Sequence, residues 1–265
     1  MVASVRRFLA GATPLTWLML INIGVYVASV LTAVGFYAVG RLHVFERFYY
    51  SLLLPAEIHT FFRQPWSLFS HMFAHDWRGF LHILVNMLWL YWMGRLFMTT
   101  QASVRLYWVY FLGGIAGAVG YLTYAWLHGP YNGYAMGASA AVNGVFFATV
   151  MLMPHFRVYL LFIGPIALRW LALIWIFLDL VLTLNGGEAA AIAHLCGAGA
   201  GVGIGYLLRN GWKPENLSQW MPFSLHRQDI TPEEVDRILD KINQKGLKSL
   251  TRKERDILKR AAEKL

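Results

Sequence analysis

Residues 190–208 read AAIAHLCGAGAGVGIGYLL, an apolar run with no formally charged side chain and one imidazole, His194, near its start. Its length is what a helix needs to cross the hydrocarbon of a bilayer, about 20 residues. Within it, Ala193, Gly197, Gly201 and Gly205 recur at every fourth position. Such a ridge of small residues lets two helix backbones touch. An ionisable ring inside an apolar span is costly and marks a functional site by default.

Outward from this stretch, comparable runs lie near 14–38, 80–98, 104–126, 137–153 and 169–185, and with 190–208 they make six predicted spans. The chain has 265 residues, 57% of them hydrophobic and 14% charged, too apolar for a soluble domain of this length. The first run follows Arg6 and Arg7, exceeds the apolar core of a signal peptide and precedes further spans, so it reads as a retained anchor. The predicted fold class is an all-α membrane protein. It comprises a six-transmembrane-helix bundle over 1–209, a linker over 210–228 and a small cytoplasmic helical hairpin over 229–265.

The tail differs in chemistry from what precedes it. Every lysine lies at Lys213 or beyond, and the residues from 210 onward mix 12 Lys/Arg with 9 Asp/Glu. Thr231-Pro232-Glu233-Glu234 is a helix start with Thr as N-cap, Pro at N1 and Glu at N3, and Gly246 is a stop. A second start at Thr251, with Glu254 three residues on, lets Val235, Ile238, Leu239 and Ile242 pack against Leu250, Ile257 and Leu258. What the hairpin binds is not legible in its residues.

The net charge of +9 does not point to nucleic acid, because the basic residues are spread over short loops and the mixed-charge tail. Positive-inside topology accounts for them. Arg6/Arg7, Arg95/Arg105, Arg157/Arg169 and Arg209/Lys213 mark one side, so both termini are expected in the cytoplasm. The segment 39–79 then faces outward. It carries four arginines of its own but is dense in aromatic residues, which suits the outer headgroup layer.

On this topology Ser139, His82, Asn86 and His194 fall near the outer ends of the fourth, second and sixth spans, at one depth. The ridge Ala140, Gly144 and Ala148 on the fourth span complements that of the sixth, so Ser139 and His194 can meet. A serine becomes nucleophilic when a neutral imidazole within about 3 Å removes its proton. Ser139 also stands at a helix start after Gly137, where unpaired N–H groups favour a developing oxyanion. His82 and Asn86, four apart, share one helix face and could add donors.

Other chemistries fit less well. His71-Met72-Phe73-Ala74-His75 lacks the glutamate of a zinc-protease H-E-x-x-H, and His71, His75 and His82 read as structural hydrogen bonders. A lone cysteine, Cys196, supports neither a disulfide nor a cysteine-based metal site. An aspartyl intramembrane protease needs two facing aspartates, whereas Asp179 is the only one well inside a span. Asp179, taken as lying near the inner half of the fifth span, is read as a helix-packing hydrogen bonder in preference to a conformational element.

His82-x-x-x-Asn86, Gly137-Ala138-Ser139 and Ala193-His194-x-x-Gly197, in that order, closely resemble the rhomboid family of intramembrane serine proteases over roughly residues 10–210. The resemblance implies a rhomboid-like six-helix core and a Ser139/His194 catalytic dyad without aspartate. It also implies an oxyanion site of His82, Asn86 and the Ser139 amide, and no cofactor. Segment 39–79 would be a membrane-lying loop, and Leu184-Asn185-Gly186-Gly187-Glu188 part of a mobile cap over the site. The implied substrates are single-pass transmembrane proteins, met within the lipid bilayer. Similar tails on some bacterial members suggest a bacterial cytoplasmic (inner) membrane. Three positions depart from the family pattern: Ala140 where glycine usually follows the serine, Ser67 after Trp66, and Asn143 in place of an aromatic. A rival expectation is therefore a catalytically silent rhomboid-like chaperone or adaptor. A solute transporter, lacking evident inverted repeats, fits less well.

Overall fold

The structure, a computed structural model, describes residues 11–129, 133–160, 164–184, 186–214, 232–246, 249–251, 254–255 and 257–258. Two compact units divide the chain, residues 1–215 and 216–265.

In the first unit, α1 (Pro14–Ala38) starts on a Thr13 N-cap whose Oγ1 accepts from the Thr16 amide, with Pro14 in the first turn. Segment 39–79 folds into α2 (Leu42–Tyr50), β1 (Leu54–Pro55), α3 (Ile58–Arg63) and α4 (Ser67–Ser70). Then come α5 (Phe80–Phe97), α6 (Arg105–His128), β2 (Tyr134–Ala135) and α7 (Ser139–Leu152). An antiparallel hairpin, β3 (Arg157–Leu160) with β4 (Gly164–Ala167), leads into α8 (Leu168–Thr183) and α9 (Glu188–Arg209). Six helices thus occupy the six predicted spans, and the hairpin between the fourth and fifth was not foreseen. By length and apolarity α1, α5, α6 and α9 can each cross a bilayer.

α7 is shorter. Its 14 residues span about 21 Å at ~1.5 Å per residue, against ~30 Å of hydrocarbon. It is the centre of the bundle, with every residue from Ala140 to Thr149 buried. A helix of that length, sheathed by α5, α6 and α9, keeps its first residue recessed between longer neighbours.

The outer surface is apolar where that of a soluble protein would be polar, although most of the core is apolar too. Leu31, Phe177, Leu178 and Leu180 expose half or more of their surface, while Asn22, Asn143, Thr149 and Asp179 are buried. Apolar surface facing outward and polar groups paired inward is what a lipid solvent favours.

The buried interfaces rest on small residues. A β-carbon added to Gly197 would run into the Ala140 backbone, and one on Gly201 into the Gly144 backbone. One on Gly205 would approach the Ala148 carbonyl oxygen to 2.9 Å. The two ridges therefore face each other along α7 and α9. A third, not singled out in the sequence, runs along α6: a β-carbon on Gly113 would lie 3.0 Å from the Gly144 Cα. Polar links tie the rim to the bundle, with Asn22 Nδ2 donating to Tyr110 Oη at 3.1 Å and Tyr110 Oη to the Met72 carbonyl at 3.2 Å.

In the second unit, α10 (Pro232–Lys245) ends at Gly246, whose φ of +75° suits a residue without a β-carbon. Thr251 and Glu254 cap each other's backbone amides, and Lys241 Nζ reaches both Glu254 carboxylate oxygens at 2.8 and 2.9 Å. Those hydrogen bonds, from Lys241 first and then Thr251, hold the Glu254 carboxyl down at about 2. Ile238 and Leu250 are buried, whereas Leu239, expected in the same seam, is 45% exposed. The Thr231 N-cap and the linker beyond residue 214 lie outside the described residues.

Candidate active site

Ser139 is the first residue of α7, and three links, two of them wholly backbone, fix the turn that precedes it. β1 pairs with β2, joining Leu54 to Ala135 and Pro55 to Tyr134. The Gly137 amide donates to the His71 carbonyl at 2.9 Å, and the Ala138 amide lies 3.4 Å from His75 Nε2. Gly137 itself has φ +102°, and a β-carbon there would sit 2.8 Å from the His82 ring. Only glycine satisfies both constraints.

His71 and His75 are thus structural posts. The His71 Nδ1 bonds the Ser67 carbonyl at 2.8 Å, and the Tyr49 hydroxyl donates to the His75 carbonyl. Burial pushes both imidazoles from 6.5 down to about 4, helped at His75 by the neighbouring His82. Between those values the unfolded chain binds protons that the native loop refuses. Stability is therefore complete above about pH 6.5 and is lost as pH falls toward 4. Thermal unfolding in detergent should show a midpoint falling across that window, and a midpoint flat from pH 7 to 4 would contradict this account.

The structure brings Ser139 and His194 together: Nε2 of His194 lies 2.8 Å from Ser139 Oγ. Asn143 Nδ2 donates to the His194 backbone carbonyl at 3.4 Å and so ties α9 to α7 beside the pair, a use for the residue that stands where an aromatic was expected. His82 lies over Gly137 and beside His75, with ring centroids 5.3 Å apart. Asn86 faces the same space, but one of its amide hydrogens is committed to the His82 carbonyl at 2.8 Å. Its second N–H remains for a ligand.

Ala140 is accommodated from the neighbouring helix. A β-carbon on Gly117 of α6 would collide with the Ala140 methyl, so the absent side chain at 117 makes room for the extra carbon at 140.

Two cavities meet at the serine. One, about 340 Å³, opens toward the rim between His82, Gly137, Ser139, His194 and the Gly186–Gly187 turn. The other, about 370 Å³, opens sideways between α5 and α8 past Val85, Asn86, Trp89 and Trp175. A larger apolar cleft of about 560 Å³ lies at the opposite end of α5, against the β3–β4 hairpin, away from the serine. Among the described residues, no group of three His, Cys, Asp or Glu side chains is arranged to hold a metal ion.

One contact departs from the sequence reading. Asp179 lies four residues from the end of α8, at the level of the site and not in the inner half of its span. Its Oδ1 is 2.8 Å from His194 Nδ1. The signal was present, since α8 and α9 run antiparallel across the short turn after Leu184, and residues 179 and 194 stand at similar distances from it.

Residues 63–211 match the Rhomboid domain family, and residues 226–264 match a family of unknown function (DUF6576). Over 146 residues the chain is 28% identical to RHOMBOID-like protein 12, mitochondrial, of Arabidopsis thaliana, covering 50% of this chain and 43% of that protein. The chain thus spans less than half the length of that relative. Fold and comparison together define an all-α integral membrane protein. It belongs to the rhomboid family.

Proposed function

We propose that the protein is an intramembrane serine endopeptidase that cleaves single-pass transmembrane proteins. The observation that carries this reading is the 2.8 Å approach of His194 Nε2 to Ser139 Oγ at the half-buried start of α7. Substrate enters sideways from the bilayer, between α5 and α8, and presents an unwound peptide carbonyl. Ser139 Oγ attacks the carbonyl carbon as its proton passes to His194 Nε2. The oxyanion is met by the Ser139 amide, the His82 ring and the free N–H of Asn86. The C–N bond then breaks, the amine leaves with the proton held by His194, and water hydrolyses the acyl-enzyme through the same base.

Loop charges support placing the Ser139 end outward and the termini in the cytoplasm. The full-length protein, reconstituted with a single-pass substrate tagged at both ends, should cut it near the outer membrane boundary. A fluorophosphonate probe should label Ser139. Cuts mapped to the cytoplasmic boundary would reverse the topology. Failure of both cleavage and labelling across several substrates would favour a silent adaptor.

A further inference from the structure

We infer that Asp179 is a positioning residue for His194, so that the site works as a Ser139–His194–Asp179 relay and not as a dyad. The inference rests on the protease reading above.

Asp179 is 7% exposed, on a helix whose other faces present Leu173, Ile174, Phe177 and Leu178 outward. A carboxylate on such a helix is expensive in a bilayer and is retained where it performs a task. If its task were only to hold α8 against α9, a neutral hydroxyl or amide would serve at lower cost. Among the described residues its one hydrogen-bond partner is His194 Nδ1. The same ring faces Ser139 through Nε2, also at 2.8 Å. Carboxylate, imidazole and hydroxyl are therefore in series.

The chemical consequence follows from the two ring nitrogens. A neutral imidazole carries one proton, and a carboxylate at Nδ1 accepts it there, leaving Nε2 as the lone-pair nitrogen facing Oγ. Free imidazole has no such bias toward the productive tautomer. During attack the serine proton moves to Nε2, and Asp179 stabilises the resulting imidazolium without taking a proton itself. The proton later leaves with the amine. The titratable groups facing His194 among the described residues are Ser139 from α7, Asp179 from α8 and His82 from α5.

The test compares full-length wild type, Asp179→Asn and Asp179→Ala in kcat and KM on one transmembrane substrate. Both variants should lose at least tenfold in kcat, toward the ~10⁴-fold seen when the aspartate of a soluble serine-protease triad is amidated, with KM little changed. A purely structural role would instead move KM and the folded fraction together with kcat. Folded variants with unchanged kcat would overturn the proposal while leaving the protease reading intact. A wild type that cleaves nothing would remove both. Should neither variant fold, nitrogen-15 spectra of wild-type histidines, with His194 assigned by its loss in His194→Ala, decide the matter. Neutral His194 protonated at Nδ1 supports the proposal, and protonation at Nε2 overturns it.

Discussion

Ser139→Ala should leave a folded protein whose cleavage of a transmembrane substrate falls by several orders of magnitude, toward the ~10⁶-fold lost when a soluble serine protease is stripped of its nucleophile. The fold should survive because the change removes one hydroxyl at the first position of α7, whose Oγ, among the described residues, bonds the His194 ring alone. The structural cost is a single hydrogen bond, about 1 kcal/mol. The turn is fixed independently, through the β1–β2 pairing and the Gly137 amide. His194→Ala should cost a comparable factor, and the double variant little more, because members of one catalytic unit are strongly non-additive. A variant lacking Oγ that retains a tenth of wild-type turnover would show that another group attacks the peptide.

The second large effect concerns the seam beneath the site. Gly201→Ala should destabilise the bundle by about 3 kcal/mol, at the upper end for overpacking, because the obstructing atoms are the Gly144 backbone and not a side chain that can rotate away. Gly197→Ala meets the Ala140 backbone and should also cost activity, since pushing α9 from α7 separates His194 from Ser139. A displacement of about 1 Å can cost ~10²-fold in rate. Gly199 and Gly203 lie on the same helix with nothing within 4 Å of an added β-carbon. Alanine at either should be neutral or slightly stabilising, within about 1 kcal/mol, as helix propensity favours it. Thermal unfolding of the four variants in one detergent separates the cases. Equal midpoints for Gly201→Ala and Gly199→Ala would mean that the α7–α9 contact is not as close as described.

Much of this architecture was legible because the signals are collective. Hydropathy over twenty residues locates a span whatever the neighbours do, and four-residue spacing of Gly and Ala marks the faces that touch. Ser139 and His194 could be paired because each adjoins such a ridge. Asp179 shows where this reasoning stops. A single polar residue in a span has no period that names its partner; the bounds 169–185 already put Asp179 past the middle on the outer side, but its pairing with His194 depends on how α8 and α9 face each other. The β1–β2 pairing was equally hidden, since two-residue strands have no alternation to detect. The role of Gly117 in making room for Ala140 lies between two helices and in neither alone.

That short pairing also sets an order of manufacture. Leu54 and Pro55 leave the ribosome about eighty residues ahead of their partners, Ala135 and Tyr134. Until α6 has been inserted and the chain has returned, the strand waits without a mate, and the turn that aims Ser139 does not exist. His194 is synthesised later still. The Ser139–His194 pair therefore cannot close until the last span is threaded.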